Sequence, residues 1–105
     1  MVISKKQPNS IELTVEKLRA HEVVIIPTDT VYGLGANIFD NRAVRRVFDI
    51  KQRSLLKPLS ILVSNVDSID LVAKLSLSQK EIINKYLPGP YTFILQFCVG
   101  VYLIL

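Results

Sequence analysis

The sequence predicts an α/β fold, and three observations carry that expectation. Val23–Pro27 is a short, continuous apolar run rich in β-branched residues, as a strand buried on both faces requires. Two further apolar runs of similar length, Leu59–Val63 and Tyr91–Phe97, recur along the chain. Between them lie segments whose apolar residues repeat at helical spacing. Alternating strands and helices, without internal repeats or a low-complexity tract, predict helices packed on a sheet.

Each element has its own signal. Ser10 is placed to cap a first helix to about Ala20, with Ile11, Val15 and Leu18 on one face and Glu12 and Glu16 in its N-terminal half. Thr28–Phe39 reads as a loop, where Gly33 and Gly35 permit close backbone approach. Asp40 or Asn41 caps a second helix to about Lys51. Its expected buried stripe is Ala43, Val44, Val47, Phe48 and Ile50, with Arg42, Arg45 and Arg46 facing outward. After the linker Ser54–Pro58 and the run Leu59–Val63, Asp67 or Ser68 starts a helix through Leu71, Val72 and Leu75. Ser78 is expected to cap the last helix, which carries Ile82, Ile83 and Leu87 and is stopped by Pro88-Gly89-Pro90.

Bulk properties bound the function. At 105 residues the chain is at most one small domain, with half its residues apolar and 21% charged, a globular composition. A net charge of +4 suits a polyanionic partner such as nucleic acid or a nucleotide. A single cysteine, Cys98, forms no internal disulfide, and Met1–Ser10 lacks the apolar core of a signal peptide. A reducing cytoplasmic setting is the expectation. The apolar run Phe93–Leu105 is shorter than the ~20 residues of a membrane span. Residues 98–105 are expected to be a terminus created by truncation or a change of reading frame, because an apolar edge invites aggregation.

The chemistry gathers where the first apolar run ends. Thr28, Asp29 and Thr30 offer two hydroxyls and a carboxylate, able to bond an ammonium or carboxylate, or to cap their own backbone in a strand-end turn. Lys51 and Arg53 follow the second helix, where cations also complement the helix dipole. Arginine grips phosphate in two-pronged fashion and lysine supplies a compact charge; Lys57 adds a third cation. Arg42, Arg45 and Arg46 are either a solvated helix face or a contact surface for an RNA backbone. Neither His21 nor Cys98 has partners at metal or catalytic spacing, so no metal site of the protein's own is expected. Gly33-Leu34-Gly35 lacks the third glycine of a dinucleotide fingerprint, and there is no Walker loop.

Pro27-Thr28-Asp29-Thr30-Val31-Tyr32-Gly33-Leu34, continuing through Gly35-Ala36-Asn37, resembles the signature of the YrdC/TsaC family, the L-threonylcarbamoyladenylate synthases. So do Lys51-Gln52-Arg53, Lys57-Pro58-Leu59-Ser60-Ile61-Leu62-Val63, and Leu87-Pro88-Gly89-Pro90 with Thr92-Phe93. The resemblance runs from about residue 10 to residue 96, in the family's order, within a partial domain of residues 10–105. It implies a twisted mixed sheet with flanking helices around a positively charged cavity, incomplete in this chain. It also implies a nucleotidyltransferase that converts L-threonine, bicarbonate and ATP to threonylcarbamoyl-AMP and pyrophosphate for tRNA threonylcarbamoyladenosine. Carried over, Thr30 contacts L-threonine, Arg53 and Lys57 contact ATP, and Lys51 and Arg53 neutralise charge in the reaction, with Mg2+ accompanying the nucleotide.

Three departures accompany the resemblance. Leu62 stands where many members have a threonine-holding histidine, and Ser54 where a proline is common. The family's Ser-x-Asn motif is absent, and Ser64-Asn65 sits too early to be it, so an impaired synthase is expected. The alternative is a non-catalytic module that binds double-stranded RNA or tRNA. A carbamoyl-transfer domain of the hydrogenase-maturation type is disfavoured by the absence of acylphosphatase-like and zinc-finger segments.

Overall fold

The computed structural model describes residues 2–28 and 30–96. Asp29, Phe97, Cys98 and the apolar end at 98–105, singled out in the sequence, lie outside the described residues. The chain divides into two compact units, Met1–Leu55 and Leu56–Leu105.

The first unit begins with α1, Ser10–Arg19. Ser10 is not its cap: it is the first helical residue, its carbonyl receives the Thr14 hydroxyl at 2.7 Å, and Asn9 takes the cap position without a side-chain bond. The helix ends at Ala20, where the chain reverses through His21 at φ 65°. The His21 amide donates to Leu18 O (3.3 Å) and the Glu22 amide to Lys17 O (3.1 Å), the paired bonds of a Schellman turn. Strand β1, Val24–Pro27, pairs antiparallel with β2, Tyr32–Gly35, in the register Val24↔Gly35 to Pro27↔Tyr32.

Two expectations are corrected here. The segment after Thr28 is not all loop, because Tyr32–Gly35 returns alongside β1 as a hairpin. Nor is β1 a strand buried on both faces. Its exposure alternates, and Ile25 is 71% exposed, because a two-stranded ribbon covers only one face. The two glycines of β2 are also less constrained than expected. A Cβ at Gly33 would stand 3.5 Å from Thr28 Cγ2, and one at Gly35 3.5 Å from Ile26 Cδ1, both ordinary contacts.

An Asn37 turn then leads into α2, Asn41–Ile50. The Phe39 amide donates to Asn37 Oδ1 (3.0 Å) and the Asp40 amide to Asn37 O (3.0 Å). Asp40 caps α2 as expected, its carboxylate accepting the amides of Arg42 (3.1 Å) and Ala43 (3.2 Å). Ala43 and Val47 are buried and Val44 and Phe48 half-buried, but Ile50 is exposed, since the end of the stripe turns past the face that is covered.

The second unit packs around Ile69, Ala73 and Ile83, joined by Val63, Val66, Leu75, Leu87, Phe93 and Leu95. The 3-10 helix Val66–Leu71 is capped by Asn65, whose side chain accepts the Ser68 amide at 2.9 Å. That cap, and not Asp67 or Ser68, starts the element, and it gives Ser64-Asn65 a structural task. Helix α3, Leu77–Tyr86, is capped by Ser76 rather than Ser78. Ser76 Oγ accepts the Gln79 amide (3.2 Å) while Gln79 Oε1 accepts the Ser76 amide (2.8 Å). Lys80 binds Asp70 at 2.7 Å, tying α3 to the 3-10 helix. Ile83 is the buried residue of α3, and Ile82 is half exposed. At Gly89, where the helix is stopped, a Cβ would fall 2.6 Å from Tyr86 O, so this glycine is sterically required.

Leu59–Val63 and residues 91–96 do not form strands of a ladder. Ala73 and Leu95 are single bridge positions, and the Lys74 amide donates to Gln96 O at 3.1 Å. An apolar run becomes a strand only where a neighbour satisfies its backbone groups, and among the described residues only β1 and β2 provide one another with that. The α/β class holds, with a two-stranded antiparallel sheet and helices. No helix among the described residues is long and apolar enough to cross a membrane.

Candidate functional site

The two hydroxyls of the hairpin tip differ in what they engage. Thr28 is engaged by its own turn: its Oγ1 donates to Val31 O, and it receives the Val31 amide at 3.2 Å, while the Thr28 amide donates to Val31 O at 3.1 Å. Thr30 lies between them, exposed, and makes no side-chain hydrogen bond among the described residues. Its hydroxyl is therefore available to a ligand in a way that the Thr28 hydroxyl is not.

The cations owe their placement to how α2 ends. Lys51 is the C-cap residue, and Gln52 follows in the left-handed region at φ 50°. The Gln52 amide donates to Asp49 O (3.1 Å) and the Arg53 amide to Phe48 O (2.9 Å), a second Schellman turn. This turn bends the backbone off the helix axis between Lys51 and Arg53. Lys51 stays exposed at the negative end of the helix dipole, whereas Arg53 is half-buried with its Nε enclosed. Lys51 makes no ion pair with a carboxylate among the described residues. Lys57 is exposed in the second unit, and Leu62, also there, is 78% exposed.

Arg42, Arg45 and Arg46 lie at helical spacing on α2, all exposed, and none pairs with a carboxylate among the described residues. Three charges on one solvated helix face create a positive surface for a polyanion.

The sequence gives His21 no partner at metal or catalytic spacing. In the structure His21 Nδ1 bonds Asp40 Oδ2 across a separation of 19 residues. The Asp40 carboxyl is held below its ordinary value, first by the His21 hydrogen bond and then by the Ala43 amide. No spacing rule finds such a pair, since it joins the end of one helix to the start of the next. The one sequence signal is that both positions flank helices, where polar side chains bond outward. Among the described residues no group of three His, Cys, Asp or Glu side chains gathers as a metal site.

Known proteins resemble the chain over most of its length. A Chromobacterium violaceum threonylcarbamoyl-AMP synthase is 41% identical over 81 residues, covering 76% of this chain and 42% of its own length. The crystal structure of Pyrococcus abyssi Sua5 complexed with L-threonine superposes with a TM-score of 0.79 at 34% identity, over 88% of this chain and 27% of that one. The solution structure of the MTH1692 protein from Methanobacterium thermoautotrophicum gives 0.71 at 34% identity, over 99% of this chain and 54% of the other. The chain spans less than half the length of the curated relatives it matches. Residues 16–100 match the Sua5/YciO/YrdC family, described as telomere recombination, and the chain belongs to that family.

Proposed function

We propose that this chain carries the threonine-and-nucleotide edge of a threonylcarbamoyl-AMP synthase, within a partial domain of residues 10–105. The observation that carries the proposal is its superposition, at 34% identity over 88% of its length, on Pyrococcus abyssi Sua5 complexed with L-threonine. In this reading Thr30 offers its exposed hydroxyl to L-threonine, and Arg53 and Lys57 bind the phosphates of ATP. Lys51 and Arg53 neutralise charge as the reaction proceeds. Bicarbonate and the threonine amine form a carbamate with loss of water. A carbamate oxygen attacks the α-phosphorus, the bond to the β-phosphate bridging oxygen breaks, and pyrophosphate leaves with the electron pair. Positioning and charge neutralisation supply the rate, without a covalent enzyme intermediate. Mg2+ would be held by the nucleotide's phosphates; Lys51, Arg53 and Lys57 are cations and offer it no ligand. The product serves tRNA threonylcarbamoyladenosine formation, which fits a cytoplasmic setting.

The test is pyrophosphate release by the purified chain given ATP, L-threonine and bicarbonate. Threonine-dependent release that disappears in Arg53→Ala supports the synthase. A second reading, a module that binds double-stranded RNA or tRNA, is favoured by the exposed row Arg42, Arg45 and Arg46, which pairs with no carboxylate among the described residues. Salt-sensitive tRNA binding without pyrophosphate release, reduced in the triple alanine variant of that row, selects it.

A further inference from the structure

We infer that His21 is a positioning residue: through Asp40 it pins the first turn of α2 to the corner between α1 and β1, and so steadies the helix end that bears Lys51 and Arg53. The Asp40 carboxylate serves two segments at once. Oδ1 accepts the Arg42 and Ala43 amides at 3.1 and 3.2 Å, while Oδ2 takes the His21 Nδ1. The carboxylate is largely shielded, with 11% side-chain exposure, while the imidazole is 75% exposed. Helix α2 has 10 residues and is a rod of ~15 Å, so fixing one end restricts the other.

The backbone at His21 sharpens the argument. At φ 65° the position favours glycine; asparagine, aspartate and histidine enter it more readily than other side chains, at a cost that glycine does not bear. What histidine adds is a donor. A carboxylate acceptor requires the neutral ring to carry its proton on Nδ1. Two other charged groups at this corner, Lys17 and Glu22, pair with each other at 3.3 Å. The depressed Asp40 carboxyl is consistent with the same bond.

Two variants separate the backbone from the side chain. His21→Gly keeps the left-handed turn and deletes the donor. His21→Asn tolerates the same turn and carries an amide nitrogen at the same bond distance from Cα as Nδ1. The readouts are amide exchange of Arg42 and Ala43, the imidazole nitrogen shifts, and binding of inorganic tripolyphosphate to the full chain. Exchange at both amides should rise about threefold or more in His21→Gly and return in His21→Asn. The wild-type neutral ring should be the Nδ1–H tautomer, and tripolyphosphate affinity should fall and recover in parallel. Unchanged exchange in His21→Gly, or an Nε2–H ring, overturns the inference. Its functional consequence rests on the anion-binding reading of Lys51 and Arg53. Exchange that follows the pattern in a chain that binds no tripolyphosphate supports the clasp and overturns that reading.

Discussion

Gln52 sits at φ 50°, between the two cations of the candidate site, and its backbone geometry can be tested by substitution. The left-handed region costs a residue with a Cβ about 1–2 kcal/mol, a cost that glycine does not bear. Glycine in turn loses more freedom on folding, by about 0.5–1 kcal/mol. Gln52→Gly should therefore stabilise the first unit by a net ~0.5–1 kcal/mol, or roughly 2–8 °C in Tm for a domain of this size. Gln52→Val should do the reverse, since a β-branched residue is a strong outlier there. Urea unfolding followed by far-UV circular dichroism measures both. Because glycine keeps the turn, Lys51 and Arg53 keep their places, and tripolyphosphate affinity should survive in the glycine variant and fall in the valine variant. A glycine variant no more stable than wild type, or a valine variant as stable as the glycine one, refutes the reasoning.

Three further outcomes are expected. The folded Asp40 carboxyl lies below its unfolded value, so its stabilisation is present above the unfolded value near 3.9 and is lost as pH falls through the depressed folded one. Asp40→Asn should thus be less stable than wild type at pH 6, with the gap in melting temperature closing toward pH 2. Ser76→Ala removes one arm of the capping box of α3 and should cost ~1 kcal/mol by denaturant titration, with Ser78→Ala costing less because Ser78 caps no amide and only bonds the Ser76 hydroxyl at 3.0 Å. Ile83→Ala opens a cavity against Ile69 and Ala73 and should cost about 2–5 kcal/mol, read from the loss of near-UV signal of the adjoining Tyr86, Tyr91 and Phe93 cluster on heating.

Much of the helical architecture is legible in the sequence because its signals are local. The Asp40 cap, the stripe of Ala43 and Val47, the outward Arg42, Arg45 and Arg46, and the stop at Pro88-Gly89-Pro90 each depend on neighbours within a turn or two. Where two local signals compete, composition alone leaves the cap undecided. Ser76 and Ser78 are both good caps, and only the reciprocal reach of Gln79 selects Ser76. Asn65 and Ser68 likewise compete at the 3-10 helix. Apolar runs were less decisive. Leu59–Val63 has the composition of a strand but no partner strand among the described residues, whereas Tyr32–Gly35, with two glycines, pairs because the Thr28–Val31 turn folds it back on β1.

What the amino-acid order determined by itself was the chemistry on offer and the local elements that carry it. Thr30 follows a β-branched run, Lys51 and Arg53 flank the end of an amphipathic helix, and the signature blocks stand in the order of their family. Tertiary structure decided which of those groups are free to act. It assigned the Thr28 hydroxyl to its own turn and left Thr30 exposed. It separated Lys51 from Arg53 by a left-handed turn at Gln52, and it brought His21 to Asp40. The His21–Asp40 bond spans 19 residues and is set by tertiary packing, whereas the Thr28 and Gln52 turns close locally, at backbone reversals that residue type alone does not specify.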